Sequence, residues 1–562
     1  MVSLLIVLFY YPLVIVLLEA FTVHGEFTGR ILYTILTSEF YFGWLPQFIA
    51  HPIETVRRVP SGTLGLFGFT AYQAILSTIA SVLLGLPGAY LLARFEFPGR
   101  KTIRSLTILP FVMPSIIVAI GFVAMFGENG ALNDALRLLG LPTLDLMFTL
   151  KIIILAHAFY NAPLITRMTA AAWESVDRRL IETARSMGAS PFRAFIDVIL
   201  PQLIPSILTG ALLTFIFTFL SFPIILALGG LKLATVEVMV YHNINLLNYS
   251  TAAGLALLEM SISLILTYAY LRYEARQMST RESIQTQARI HLFGPLTIKR
   301  LLVFGYTFLA AIIFLGPIIS MVIESFTGGQ GLTLRNYMFL VQRQLTGYDF
   351  QVQPLNAIIN SLLFAIGSLL IALPMGIFLA IISTRDFRGR KFIDAITMAP
   401  LAVSGVVVGL GLLRGLVFGI TIGGYRITVT GALAIIGAHA VAAYPFVTRN
   451  VVPLLESVDS RLVESARALG ASRLTALIDI ELPLVYSGII AGAAFAFAIS
   501  IGEFDATIIL IQGGDWYTMP IAIERYIGRR LGPATAMGCV LLAVTAMSFI
   551  IIDRVGGRWY SG

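Results

Sequence analysis

The residues of this chain that could do chemistry are few and lie in apolar surroundings. Glu503 and Asp505 flank Phe504 in Ser500-Ile501-Gly502-Glu503-Phe504-Asp505-Ala506-Thr507, inside a long apolar run. Glu259 stands in another such run, and His157 and His439 in two more. If these runs cross a membrane, their ionisable groups are costly and mark an ion or substrate path. Glu503, Phe504 and Asp505 are therefore candidates for a gate or translocation path, with Glu259 as a further candidate. Each acid has a plainer alternative: near a helix end it can reach water or pair with an arginine, and Glu259 can pair helices. Two carboxylates could suit a cation. Paired histidines could hold a metal, but Pro163 and Pro445 follow them by one to two turns. They read instead as hydrogen-bond donors beside kinks, and no metal site is expected. The chain has no Gly-x4-Gly-Lys-Ser/Thr phosphate loop and no Gly-Lys dipeptide. It is not expected to bind ATP or any cofactor, nor to be an enzyme.

The elements that must position these groups follow from composition. Of 562 residues, 57% are hydrophobic and 12% charged, about half the charged share of a soluble domain. Mean hydropathy is +0.88. Apolar runs of the length that an α-helix needs to cross roughly 30 Å of hydrocarbon recur throughout, without the two-residue alternation of a membrane barrel. The fold class expected is an all-α membrane protein. Twelve spans are read, at 1–21, 65–93, 105–126, 150–172, 203–228, 250–271, 301–325, 358–383, 394–418, 430–452, 485–510 and 533–554. The first is read as a transmembrane helix and not a secretory signal, because no Lys or Arg precedes it. Cys539 is the only cysteine, so an internal disulfide and a cysteine metal cage are both excluded. The net charge of +8 fits loop arginines that hold topology, and no nucleic-acid partner is expected.

Basic residues fix the expected orientation. Arg94, Arg100, Lys101 and Arg104 follow span 2; Arg272, Arg276, Arg281, Arg289, Lys299 and Arg300 follow span 6; Arg385, Arg388, Arg390 and Lys391 follow span 8. Placing all three in the cytoplasm places both termini there. The chain divides into a first half at 1–275, a polar linker at 276–300 and a second half at 301–562. These halves are a repeat. Glu174-Ser175-Val176-Asp177 recurs as Glu456-Ser457-Val458-Asp459, an offset of 282. At the same offset His157 meets His439, Pro163 meets Pro445, and Leu220-Ser221-Phe222-Pro223 meets the segment of Glu503. Ser221 thus enters the candidate path as the uncharged counterpart of the acidic segment. Phe97-Pro98-Gly99-Arg100-Lys101 matches Phe387-Arg388-Gly389-Arg390-Lys391 at offset 290. Six spans per half make the repeat a parallel one, with the pathway expected between the halves.

The most informative segment lies between spans 4 and 5 and again between spans 10 and 11. The first copy runs from Glu182-Thr183-Ala184 through Gly188 to Pro201, and the second from Glu464-Ser465-Ala466 through Gly470 to Pro483. Each reads as helix, glycine stop, helix. Asp177 or Asp459 can cap the first helix, Gly188 or Gly470 suits a left-handed C-terminal residue, and Ser190 or Ser472 can cap the next.

This pattern, Glu-Ala-Ala-x3-Gly-x9-Ile-x-Leu-Pro, resembles the signature loop of binding-protein-dependent ABC importer permeases. The second copy departs only at Ser465; the first has Thr183 at that position and Val198 for the isoleucine. The resemblance implies a cytoplasmic coupling helix in each half. It also implies two copies of a separate ATPase subunit that use the ATP, an extracellular or periplasmic substrate-binding protein, and a multi-pass place in the cell's inner membrane. Gly502-Glu503-Phe504 resembles a segment of permeases for oxyanions and ferric iron. Fusion of both halves in one chain resembles ferric-iron and thiamine uptake permeases, with ferric iron ranked ahead of thiamine. The alternative is an ion- or proton-coupled secondary transporter of the facilitator type, which also has two sets of six spans but gives no account of the loops between spans 4 and 5.

Overall fold

The computed structural model describes residues 1–23, 26–43, 61–100, 103–104, 113–278, 290–292, 297–328, 331–342, 352–385, 387–422, 425–511 and 516–557. Among these, nine helices are long and apolar enough to cross a membrane. They are Val2–Ala20, Leu64–Arg94, Ser115–Leu138, Pro191–Phe219, Tyr249–Glu274, Arg300–Ser325, Pro354–Ser383, Gly431–Ser457 and Leu531–Ser548. Two bent pairs add a span each: Ile393–Ala402 with Gly405–Val417, and Arg473–Leu484 with Tyr486–Ile501. The helix Leu150–Glu174 has 25 residues and is the repeat counterpart of Gly431–Ser457. At 1.5 Å per residue it too is long enough to span. The fold is therefore twelve spans in two six-span repeats, numbered here in chain order.

Three spans differ from the runs read in the sequence. Span 5, read as 203–228, is a continuous helix only to Phe219, and a short helix Pro223–Leu228 follows a break. Span 11, read as 485–510, breaks in the same way between Ile501 and Asp505. Span 9, read as 394–418, turns by 99° around Ala402–Gly405, where Pro400 and the cap residue Ser404 end one helix and start the next. The expected start of span 3 at 105–112, and 279–289 of the linker, lie outside the described residues.

Contacts group the chain into two units. One contains Met1–Leu32, Val240–Met260 and Ser325–Gly562; the other contains Tyr33–Met239 and Ser261–Glu324. In the second of these, spans 2, 4 and 5 pack against one another. In the first, spans 8, 10 and 11 do the same, and span 1 packs on span 9. The contacts are close because small residues line them. A Cβ on Gly411 would lie 2.5 Å from the Pro12 carbonyl oxygen, and one on Gly492 would lie 3.0 Å from the Val447 Cα. Gly409 and Gly488 meet Ala506 and Asn450 backbone in the same manner. Gly409, Gly411, Gly488 and Gly492 are thus spent on helix contact.

Candidate functional site

The loop between spans 4 and 5 is built by local rules. Span 4 ends at Glu174, and Asp177 accepts the Arg179 amide proton at 2.9 Å, which caps the helix Arg178–Ser186. At its far end Gly188 has φ +90°. The Ala189 amide donates back to the Ala184 carbonyl at 3.0 Å and the Gly188 amide to Arg185 at 3.0 Å, the double closure that ends a helix on a left-handed residue. Ser190 then accepts from the Arg193 amide at 3.2 Å, with Pro191 in the first turn of the next helix. The loop between spans 10 and 11 repeats each step. Asp459 accepts from Arg461 at 3.0 Å, Gly470 has φ +97°, Ala471 donates to Ala466 at 3.0 Å, and Ser472 accepts from Thr475 at 3.1 Å.

These bonds give the sequence-selected residues distinct tasks. Ala184 and Ala466 supply the carbonyls that close the helices. Glu182 and Glu464 lie on the exposed face, Glu182 paired with Arg178 at 2.6 Å. Pro201 and Pro483 each follow a wide helical turn, Phe195–Ile199 and Leu477–Glu481. A proline has no amide proton and clashes with the carbonyl four residues back, so a widened turn ahead of it relieves both problems.

Matching apolar side chains stand out from both loops. Met187 is 83% exposed and its counterpart Leu469 90%; Phe192 is 72% exposed and Leu474 63%. Four large apolar groups thus stand exposed at equivalent positions on the two capped loops.

Inside the spans the histidines organise the breaks. His157 lies within hydrogen-bond distance of Ser77 Oγ (3.0 Å, through Nδ1) and Ser221 Oγ (2.9 Å, through Nε2). His439 meets Ser500 Oγ at 2.9 Å through Nδ1, and Thr507 Oγ1 at 2.8 Å and Glu503 Oε2 at 3.2 Å through Nε2. Ser500 is itself held by Ser368 of span 8 at 2.7 Å. Glu503 also accepts the amides of Ala506 and Thr507 at 2.7 and 3.1 Å, and the Thr507 hydroxyl donates to it. Its carboxylate therefore caps the short helix Asp505–Leu510 and fixes His439 in one arrangement. Ser221 and Glu503 are counterparts at offset 282, so a hydroxyl in one repeat is a carboxylate in the other. Phe504, like its counterpart Phe222, is buried. Asp505 begins the short helix and is half-buried against Gly405 at the start of span 9. Glu259 is fully buried in span 6. Among the described residues no group of three His, Cys, Asp or Glu side chains is placed to hold a metal.

Reading the sequence alone missed the ion pairs at the loop ends. Arg100 reaches Glu174 at 2.5 Å, with Arg104 on the same carboxylate at 3.1 Å. Arg390 reaches Glu456 at 3.0 Å and Arg385 reaches Glu481 at 2.6 Å. Arg100, Arg390, Glu174 and Glu456 all fall in repeated segments, which was the available signal. Their pairing was not visible, because the partners lie 74 and 66 residues apart in the chain.

The model of the family described as binding-protein-dependent transport system inner membrane component matches residues 81–277 and again 372–559. A thiamine transport system permease protein of Brucella suis is 27% identical over 86% of this chain and 86% of its own length. Its Escherichia coli counterpart is 26% identical over 87% and 88%. A ferric transport system permease protein of Actinobacillus pleuropneumoniae is 25% identical over 93% of this chain and 75% of its own length. The ranking of ferric iron ahead of thiamine finds no support here, since the thiamine permeases match at slightly higher identity and over more of their own length. The twelve spans, the doubled capped loop and the twofold match agree: this chain is a multi-pass permease of the binding-protein-dependent transport system inner membrane component family.

Proposed function

We propose that this chain is the whole membrane pathway of an ATP-driven importer, with its two capped loops docked on separate ATPase subunits and thiamine as its cargo. The observation that carries the docking assignment is the doubled loop with matching exposed apolar groups, Met187 and Phe192 in one and Leu469 and Leu474 in the other. A rigid helix-turn-helix that presents apolar side chains to water fits a cleft in a soluble partner. The arginine-rich turns after spans 2, 6 and 8 support a cytoplasmic position for these loops and both termini. A binding protein on the opposite face delivers the cargo. Thiamine is preferred to ferric iron because relatives named for it align over most of both chains. Glu503 and Asp505 then give the second repeat a negative character at the break in span 11 that the first repeat lacks, which suits a cationic cargo.

The test is reconstitution. The chain is placed in liposomes with candidate ATPase subunits and a thiamine-binding protein from the same organism, and uptake of labelled thiamine is followed with and without ATP. ATP-dependent uptake is expected. Uptake by the chain alone, driven by an ion gradient, would overturn the proposal, and ATP-driven uptake of iron but not thiamine would overturn the choice of cargo.

A further inference from the structure

The ion pairs at the ends of the two loops are arranged differently in the two repeats. In the first repeat the buried pairing is at the entrance. Arg100, whose side chain is 7% exposed, donates to Glu174 at the end of span 4 and also to the Leu92 carbonyl of span 2 through Nε at 2.9 Å and Nη2 at 2.5 Å. One guanidinium thus joins the ends of spans 2 and 4 and satisfies a carbonyl that the helix end leaves open. Gly99, at φ +82°, reverses the chain to aim it.

In the second repeat the entrance pair is a surface one. Gly389 makes the same turn at φ +97°, but Arg390 and Glu456 are 33% and 52% exposed, and exposed pairs hold little. Asp394 stands where the first repeat has Arg104. The buried carboxylate is now at the exit. Glu481, 7% exposed, accepts two bonds from Arg385, itself 52% exposed at the end of span 8, at 2.6 and 2.8 Å. The counterpart of Glu481 in the first repeat is Ile199, which cannot pair.

We infer that the turn after the second span of each repeat is a positioning device that links the docked loop to the membrane helices, gripping the first loop at its entrance and the second at its exit. The assignment rests on the reading of these loops as ATPase-docking elements. Movement of the first loop is passed through Glu174 and Arg100 to spans 4 and 2. Movement of the second is passed through Glu481 and Arg385 to spans 11 and 8, and span 11 carries Glu503 at its break. The two loops are near-copies in their capping and unlike in what they pull.

The test uses the chain assembled with its ATPase subunits and binding protein in liposomes, with Glu481→Gln, Arg385→Gln and the reversed pair Arg385→Glu/Glu481→Arg. Cargo moved per ATP hydrolysed is the readout, and ATPase co-purification is scored separately. Both single variants are expected to keep the ATPase bound and to lose on the order of tenfold in cargo per ATP, and the reversed pair to recover most of it. Unchanged cargo per ATP in both single variants would overturn the inference, as would loss of the bound ATPase, which would make the pair a docking support. If the single variants are poorly made, the reversed pair decides: well-made protein that stays uncoupled overturns it. A wild-type chain that binds no ATPase would instead sink the docking assignment itself.

Discussion

Ser221 and Glu503 stand at the same position of the two repeats, and each meets the Nε2 of its own repeat's buried histidine, at 2.9 Å in one and 3.2 Å in the other. The histidines do the same structural work in both, tying span 4 or 10 to the break in span 5 or 11. What differs is the charge. A hydroxyl suffices to hold the histidine; the carboxylate of Glu503 adds the cap on the short helix and a negative charge.

Replacement of Glu503 by Ser, the residue of the other repeat, separates these tasks. The serine can keep the histidine as partner but gives up the bonds from the Ala506 and Thr507 amides, so stability should fall by about 1 kcal/mol, the usual scale of a cap. Glu503→Ala, which removes the acceptor altogether, should cost more. Thermal unfolding in detergent gives the first quantity and cargo uptake the second. If Glu503 lines the path, the serine variant folds normally and its uptake falls at least tenfold. Normal uptake in a normally folded serine variant would reduce Glu503 to a cap.

Gly188 and Gly470 test the loops. A Cβ on either would meet nothing within 4 Å, so space is not the constraint. The left-handed backbone is, and a β-branched residue there is strained by about 1–2 kcal/mol. Gly188→Val and Gly470→Val should insert into the membrane normally and lose ATPase association, as measured by co-purification. Retention of the ATPase by the double variant would disprove the docking role of the turns.

Arg100 tests the clamp at the first loop's entrance. Arg100→Met leaves the partly buried Glu174 with Arg104 and strips the Leu92 carbonyl of its donor, so destabilisation of about 3 kcal/mol is expected. Arg390→Met, at the exposed counterpart, should cost under about 1 kcal/mol. Equal effects on thermal unfolding would show that the repeats are clamped alike.

The cap at Asp459 predicts a pH dependence. The Arg461 side chain, and then its amide, hold this carboxyl below its usual value. A carboxyl lowered on folding stabilises fully above its unfolded value, about 3.9, and loses that contribution as pH falls through the folded value. Amide protection across residues 460–468, with the intrinsic pH dependence of exchange divided out, should therefore fall below about pH 4, and Asp459→Asn should flatten the response. An identical acid response in that variant would remove Asp459 from the account.

How much of this was legible in the sequence differs by level. The spans were visible because each buries or exposes a whole apolar helix, and the loops because Asp177, Gly188 and Ser190 act on backbone within a few residues of themselves. The breaks in spans 5 and 11 were not. Long apolar runs on either side of Leu220–Pro223 and Gly502–Asp505 carried the reading across both, and the polar group at each break meets a histidine 64 residues away in the chain. The arginine clamps escaped for the same reason. Arg100 and Glu174 are 74 residues apart, and nothing local in either segment names its partner.

The claim that most needs testing is that both loops grip an ATPase. With Cys539 replaced by Ser, the chain has no native thiol, and Met187→Cys or Leu469→Cys supplies a single exposed one on either loop. Crosslinking of the membrane-embedded complex should join each variant to an ATPase subunit, with comparable yield from the two loops. If neither cysteine crosslinks while the ATPase still co-purifies and hydrolyses ATP, the loops are not the docking elements and the coupling account fails.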